Sequence, residues 1–314
     1  METRSTVNSA VIATYDHNAV ENERNRPLLE AALRASGASV AWSRVRNGDF
    51  LELLRVRLGD ASRSGLRVAL DISCMPSVLI LAVMKVLSEY SDARLSVLYA
   101  EAVKYGPQPE EAEFYAGASN DEISVGVDYG VGSIRYSVDY QGSHVPGLAD
   151  LVVLVPGFGL DRARAAISYV NPAYLLDPAG HIKWLLGRPR RPEDAWRRDA
   201  LVRLHSIAEE DVLESVDDVD YRAMIEALDD VYESSRFRAN VTVAPFGTKL
   251  QSIGVAIYCL MRSALRVLLV EPEYYDPRGY SSGIGDCWQI EFGRMGNLTG
   301  LLQSVDRLVV QSAG

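Results

Sequence analysis

Apolar residues along this chain come in short runs separated by longer segments of mixed character. Ala10–Tyr15 is a brief run with β-branched residues, and Ser39–Trp42 is another. Runs of this kind, bounded by polar positions, predict strands. Between them the pattern over Pro27–Ser36 predicts a helix that Gly37 can end. Phe50–Leu58 predicts a second helix. Then follow a strand over 67–72, a turn over Ser73–Ser77, a helix over 78–90 and a strand over 95–100. Strands alternating with helices at this spacing predict βαβ units and a parallel sheet. Residues 108–118 are polar and read as loop. Ile123–Val127 and Ile134–Tyr140 alternate around a glycine-rich turn, as a hairpin does. Gln141–Gly147 reads as a linker.

The rhythm then starts again. Ala149–Val155 predicts a buried strand, Pro156–Gly159 turns the chain, and Leu160–Val170 predicts a helix. Asn171-Pro172 stops that helix, because a residue before proline disfavours the α region. Tyr174–Leu176 reads as a second strand. Residues 181–237 read as a long helical insertion, basic at first (Lys183, Arg188, Arg190, Arg191, Arg197, Arg198) and acidic from Glu209 to Glu233. A strand over 240–244, the Pro245–Lys249 turn, a helix over 250–262 and a strand over 266–270 complete the pattern.

Three ordered matches tie the two stretches together. Glu101–Pro107 and Glu271–Pro277 share the frame Glu-x-x-x-Tyr-x-Pro, each after an apolar run. Upstream of each frame lie a strand, a sharp turn and an apolar helix. Downstream, Gly130-Val-Gly132 matches Gly283-Ile-Gly285 with a one-residue gap. A diverged duplication accounts for this order. The expected fold is α/β, with halves at 1–147 and 148–314, parallel sheets, a pseudo-twofold internal repeat, C-terminal β-hairpin elements and the helical insertion 181–237.

Composition narrows the classes. The 314 residues suffice for two ordinary domains, and 48% hydrophobic content is that of a globular protein. No stretch reaches the ~20 uninterrupted apolar residues of a membrane span. The N-terminus carries no secretory pattern. Three cysteines, Cys74, Cys259 and Cys287, make neither a disulfide framework nor a CxxC. A reduced, cytoplasmic protein without a membrane partner is expected. The net charge of −10 argues against duplex nucleic acid as a partner. It leaves room for a local basic pocket.

The candidate chemistry lies in the turns that follow strands. Ligands of open parallel sheets bind beyond the carboxyl ends of the strands. Gly247 is conformationally permissive, Thr248 offers a hydroxyl and Lys249 a charge, and the helix beginning near Leu250 would present free N–H groups to an anion. Ser73 and Ser77 are the first-half counterparts, around Met75-Pro76. Gly157 and Gly159 would let backbone approach a ligand, and Thr14–Asn18 is their counterpart. Each turn also has a purely structural explanation, since Gly, Ser, Thr and Pro are ordinary turn residues. Glu101, Tyr105, Glu271, Glu273, Tyr275 and Asp276 sit beyond strand ends. Acid–base work or holding a metal is one reading, and the recurrence of the frame favours a shared structural job. The four histidines, His17, His144, His181 and His205, form no ligand motif, so neither a metal site nor a cofactor is expected. No Walker, GxGxxG or GxSxG motif occurs.

At Val243-Ala-Pro-Phe-Gly-Thr-Lys249, followed by a small-residue helix, the second half resembles CARF-type Rossmann-like sensor domains. Two such halves in one chain resemble the SAVED domain of bacterial antiviral signalling. The asparagine and double glycine usual before Thr-Lys are replaced here by Pro245-Phe246. The resemblance implies two tandem Rossmann-like halves and a nucleotide or oligonucleotide second messenger as ligand. It also implies a separate effector protein as partner and a role in antiphage defence. Ser73, Ser77, Gly157, Gly159, Gly247, Thr248 and Lys249 would bind the ligand. Catalytic residues are not assigned, and a homo-oligomer is compatible. The alternatives are a metal-independent nucleotide phosphodiesterase of the ring-nuclease type and a scaffold subunit of a defence complex.

Overall fold

The most continuous apolar run, Ala149–Val155, is an interior strand of a six-stranded sheet. The computed structural model describes residues 7–15, 19–45, 48–61, 65–116 and 128–298. The first stretch of chain forms β1 (Ser9–Thr14), α1 (Ala19–Ala35), β2 (Ser39–Arg44), α2 (Asp49–Ala61), β3 (Arg67–Asp71), α3 (Ser77–Ser88) and β4 (Arg94–Ala100). Short elements follow: β5 (Lys104–Tyr105), α4 (Pro109–Ala116), β6 (Asp128–Tyr129) and β7 (Ser133–Tyr136). The chain resumes with β8 (Ala149–Val155), α5 (Leu160–Val170), β9 (Ile182–Arg188), α6 (Trp196–His205), β10 (Val212–Asp217) and α7 (Tyr221–Ser235). It ends with β11 (Ala239–Pro245), α8 (Lys249–Met261), β12 (Arg266–Glu271), β13 (Tyr274–Tyr275), α9 (Pro277–Tyr280), β14 (Ser281–Ser282) and β15 (Cys287–Arg294).

The six-stranded sheet runs β10-β9-β8-β11-β12-β7, parallel except for β7. Strand order therefore reverses between β8 and β11. A three-stranded sheet runs β15-β4-β3, with β3 and β4 parallel and β15 antiparallel. β1 and β2 form a parallel pair of their own. The closing strands are exchanged. β7, early in the chain, pairs with β12, and β15, the last strand, pairs with β4. The short strands follow suit, with β6 on β13 and β14 on β5.

That exchange corrects the expected hairpins. Ile134 pairs with Val270, and Ile290 pairs with Val97, so these segments bond across the molecule rather than to their neighbours in sequence. Ile123–Val127 lies outside the described residues. The helical insertion over 181–237 is also corrected, because it contains two strands of the sheet, β9 and β10, beside α6 and α7. Lys183 and Arg188 within it disguise β9, yet its Ile182, Trp184, Leu185 and Leu186 are buried. Tyr174–Leu176 is no strand. Asn171 accepts a bond from Ala173 N (3.0 Å) and starts a 3-10 turn over Pro172–Leu175 instead. Within 108–118, Pro109 and the Glu111 carboxylate, which accepts from Gln108 N (2.8 Å), start α4.

One core spans both stretches of chain. α3 is apolar nearly all round, with Leu79, Ile80, Leu81, Val83, Met84, Val86 and Leu87 buried, and a helix of that kind must be covered on every side. It packs against α8, itself buried from Leu250 to Cys259. Leu70, Val97, Val153 and Val243 join the same core. A second core lies on the other face of the six-stranded sheet, around Val152, Leu154, Ile167, Trp184 and Leu268.

Candidate functional site

β8 and β11 are neighbours in register, Val155 opposite Pro245, so their turns emerge side by side where strand order reverses. Phe246 N donates to Val155 O (2.8 Å). The glycines are required by this closeness. A Cβ on Gly157 would stand 2.8 Å from Phe246 O, and one on Gly159 would stand 2.9 Å from an Asp128 carboxylate oxygen. A Cβ on Gly247 would run into the Gln251 carboxamide and stand 2.7 Å from Val155 Cγ1. None of the three has a positive φ, so close approach rather than backbone conformation is what demands glycine.

α8 starts with a capping box. Thr248 Oγ1 accepts from Gln251 N (3.2 Å) and donates to Asp218 O (2.6 Å), while Gln251 Oε1 accepts from Thr248 N (2.9 Å). The one proton of the Thr248 hydroxyl is thus used within the fold. Lys249, half-buried, holds its ammonium 5.6 Å from the centre of the Tyr280 ring. Gln251 is 2% exposed, and among the described residues its Nε2 has no hydrogen-bond partner. Asp218 Oδ1, just past β10, is likewise buried with no hydrogen-bond partner among the described residues. Burial pushes the Asp218 carboxyl up to about 6, and the charges of Asp217 and Glu101 push the same way.

The first-stretch turn meets this region at one point. Ser252 Oγ donates to Ser77 Oγ (2.8 Å), which places Ser77 against the first turn of α8. Ser73 is held elsewhere. Its hydroxyl donates to Asp71 (2.6 Å) and accepts from Ala100 N (2.9 Å), closing the turn onto β4. Thr14 Oγ1 donates to Ser43 O (3.1 Å), joining β1 to β2, while Asp16–Asn18 lie outside the described residues.

The basic run after β9 proves to be a clamp. Arg190 pairs with Glu101 (3.2 Å) and with Asp286, and lies over the Trp288 ring (4.9 Å). Arg191 donates to the carbonyls of Ala102 and Val103, and Arg197 to those of Tyr105, Gly106 and Pro107. These arginines therefore tie the segment after β9 to the Glu101–Pro107 frame. The recurring frame does structural work too. Tyr105 OH shares a hydrogen bond with Tyr99 OH (2.9 Å) and accepts from Ala102 N (2.9 Å). Tyr275 lies beside Arg162 and Asp128, its phenol pushed up to about 12 by burial.

Sequence reasoning missed three groups here. His205 Nε2 lies 2.8 Å from Gly157 O; a carbonyl only accepts, so Nε2 carries the proton, and Nδ1 is left without a partner. Burial pushes this imidazole down to about 4. Asp128, ion-paired with Arg162 behind Gly159, is held above the usual carboxylate range by burial against the pull of that arginine. Asp218 is the third. Gln251 carried a signal that these lack, the fourth position of Thr-x-x-Gln, and the sequence reading did not use it. A scan against protein-family models finds no match, and a search of curated proteins finds none either.

Proposed function

We propose that this chain is a sensor that binds a nucleotide-like anion, a cyclic or linear oligonucleotide signal, between two tandem Rossmann-like halves related by an internal repeat. The exchange of strands supports the repeat. The segment after β4 and the segment after β12 each give a short strand holding the frame tyrosine, a second short strand and a closing antiparallel strand, and each pairs with the other's sheet. The observation that carries the binding reading is the meeting of the β8 and β11 turns, at the reversal of strand order, with the starts of α5 and α8 and with Lys249. Such a reversal point is where open α/β sheets take ligands, and helix N-termini favour anions. Lys249 supplies charge, Gln251 Nε2 an unused donor and Ser77 a hydroxyl from the other half. Gly157, Gly159 and Gly247 keep the backbone close, while Thr248 and Ser73 hold the two turns. The resemblance to CARF and SAVED domains extends this reading to antiphage signalling through a separate effector protein.

The test is a thermal-shift and calorimetry panel of cyclic and linear oligonucleotides. A bound signal at a hundred times its Kd adds about 2.7 kcal/mol to the folded state. Lys249→Ala should weaken affinity about ten- to a hundredfold, the loss of one charge-assisted contact of roughly 1.5–3 kcal/mol, with the ligand-free melting temperature unchanged. Unchanged affinity in that variant defeats the site, and no shift across the panel defeats the function. One observation favours a phosphodiesterase as second reading, the partner-free Asp218 oxygen on a carboxyl held near 6. Products that appear with turnover and vanish in Asp218→Asn would decide for it.

A further inference from the structure

The three-stranded sheet carries a row of like charges at its far end. Arg67 of β3 stands opposite Arg94 of β4, and Arg94 stands opposite Arg294 of β15. Residues opposite one another in neighbouring strands project from the same face, and neighbouring strands lie only about 4.8 Å apart. The third arginine reaches this register through a β-bulge. Gln289, Ile290 and Glu291 pair in step with Leu98, Val97 and Ser96, but the register shifts before Gly293, whose φ is +74°. In the unshifted register Gly293 would face Arg94; with the bulge, Arg294 does.

Like charges directly opposite each other on a sheet are destabilising, so this row needs an explanation. Among the described residues, nearby carboxylates offset it only in part. Glu89 is engaged by Arg55 in two hydrogen bonds of 3.1 and 3.2 Å. Asp92 reaches Arg294 only at 3.9 Å and is 92% exposed. The Glu291 carboxylate accepts from Gln289 (2.6 Å) and Ser96 (2.7 Å) and feels the Arg67 charge, but forms no ion pair with it. Among the described residues Arg67 and Arg94 form no ion pair. The three arginines line one cavity of about 820 Å³, together with Ser91, the backbone of Gly65 and two acidic residues, Glu89 and Asp92. It opens at the amino ends of β3 and β4, the opposite end of the strands from the Ser73 turn.

We propose that this cavity binds a short polyphosphate chain, either free or as the tail of a nucleotide. Guanidinium groups recognise phosphoryl oxygens by paired, charge-assisted hydrogen bonds, and a ligand bearing several negative charges in line matches several guanidinium groups in line. The site is independent of Lys249 and does not rest on the proposed sensor function.

Calorimetry on the full chain tests it, with tripolyphosphate, ATP and AMP as probes in low-salt buffer and in a Lys249→Ala background that silences the other candidate site. Tripolyphosphate and ATP should both bind, and AMP much more weakly. Arg94→Gln should weaken tripolyphosphate about tenfold or more, and R67Q/R94Q/R294Q together should abolish its binding. Without ligand, Arg94→Gln should melt at or above the parent temperature, because removing the central charge relieves repulsion. A flat tripolyphosphate titration, binding unchanged in the triple variant, or ATP binding without tripolyphosphate binding would each overturn the assignment. A lowered melting temperature in Arg94→Gln would also count against it, since it would make that arginine part of the fold's own bonding.

Discussion

The six-stranded sheet is buried on both faces and the β3–β4–β15 sheet on one. In β8, Val152, Val153 and Leu154 are all fully buried although their side chains alternate between two cores. In β3, Val68 and Leu70 point inward while Arg67, Ala69 and Asp71 are exposed. The helices explain the difference. α5 packs over β8, β12 and β7, whereas α1 rests on β2 and leaves the outer face of β3 and β4 open among the described residues. Strands covered on both sides read as continuous apolar runs, and strands covered on one side read as alternation. The two sheets therefore carry different sequence signatures, and the less covered one has room for polar and charged rows.

The sharpest test of that contrast is packing. Leu154→Ala removes a fully buried side chain from the second core and should cost about 2–5 kcal/mol. Ala69→Ser, on the open face, should stay within about 0.5 kcal/mol. Urea unfolding measures both. A cost for Ala69→Ser approaching that of Leu154→Ala would mean that the open face is covered in solution.

Acid titration separates the sheets next. At the carboxyl ends of the six-stranded sheet, burial itself shifts the titrating groups, and two of them oppose each other. His205 is pushed down to about 4, so the unfolded chain takes up its proton first as pH falls below about 6.5. Its contribution is present above that value and is lost as pH falls toward 4. Asp218 is pushed up to about 6 from 3.8, so the folded chain keeps a proton that the unfolded chain releases. Its contribution is present below 3.8 and is lost as pH rises through 6. Each group tilts stability by at most about 1.4 kcal/mol per pH unit, with opposite signs between pH 4 and 6. Asp218→Asn should unmask the histidine, making stability fall more steeply from pH 6.5 to 4.5 than in the parent. A shallower fall in that variant would refute the assignment. On the open sheet, Glu291 is held low by hydrogen bonds from Gln289 and Ser96, so Glu291→Gln should leave that slope unaltered.

Much of this arrangement was legible from local pattern. Strong apolar runs gave β3, β4, β8, β11 and β12, and Leu160–Val170 matches α5 in both bounds. What stayed hidden depends on distant partners. β9 sits in a charged context, and only the flanking strands β8 and β10 make its burial necessary. The destination of β7 and β15 cannot be read from alternation, because an antiparallel closing strand has the same pattern whichever sheet it joins. At the candidate site, Gly157, Gly247 and Thr248 were visible as turn residues. Their reasons, a neighbouring turn and a glutamine side chain, were only partly so. His205 and Asp218 carry no sequence signal, since their character comes from burial.

The smallest effect distinguishes the two central helices by how they begin. α8 starts at Thr248 with reciprocal bonds to Gln251 and a further bond to Asp218 O. α3 starts after Pro76, which makes no side-chain cap, and Ser77 only receives a bond from Ser252. Ser252 has a second acceptor in Thr248 O at 3.1 Å, so deleting the Ser77 hydroxyl strands no donor. Thr248→Ala should therefore cost about 0.5–2 kcal/mol, the usual worth of an N-cap, and Ser77→Ala no more than about 0.5 kcal/mol. Denaturant unfolding with unchanged m-values compares them directly. Equal costs would mean that the Ser77–Ser252 contact holds α3 to α8 as firmly as the box holds α8 to its own turn, and the asymmetry between the two turns would be gone.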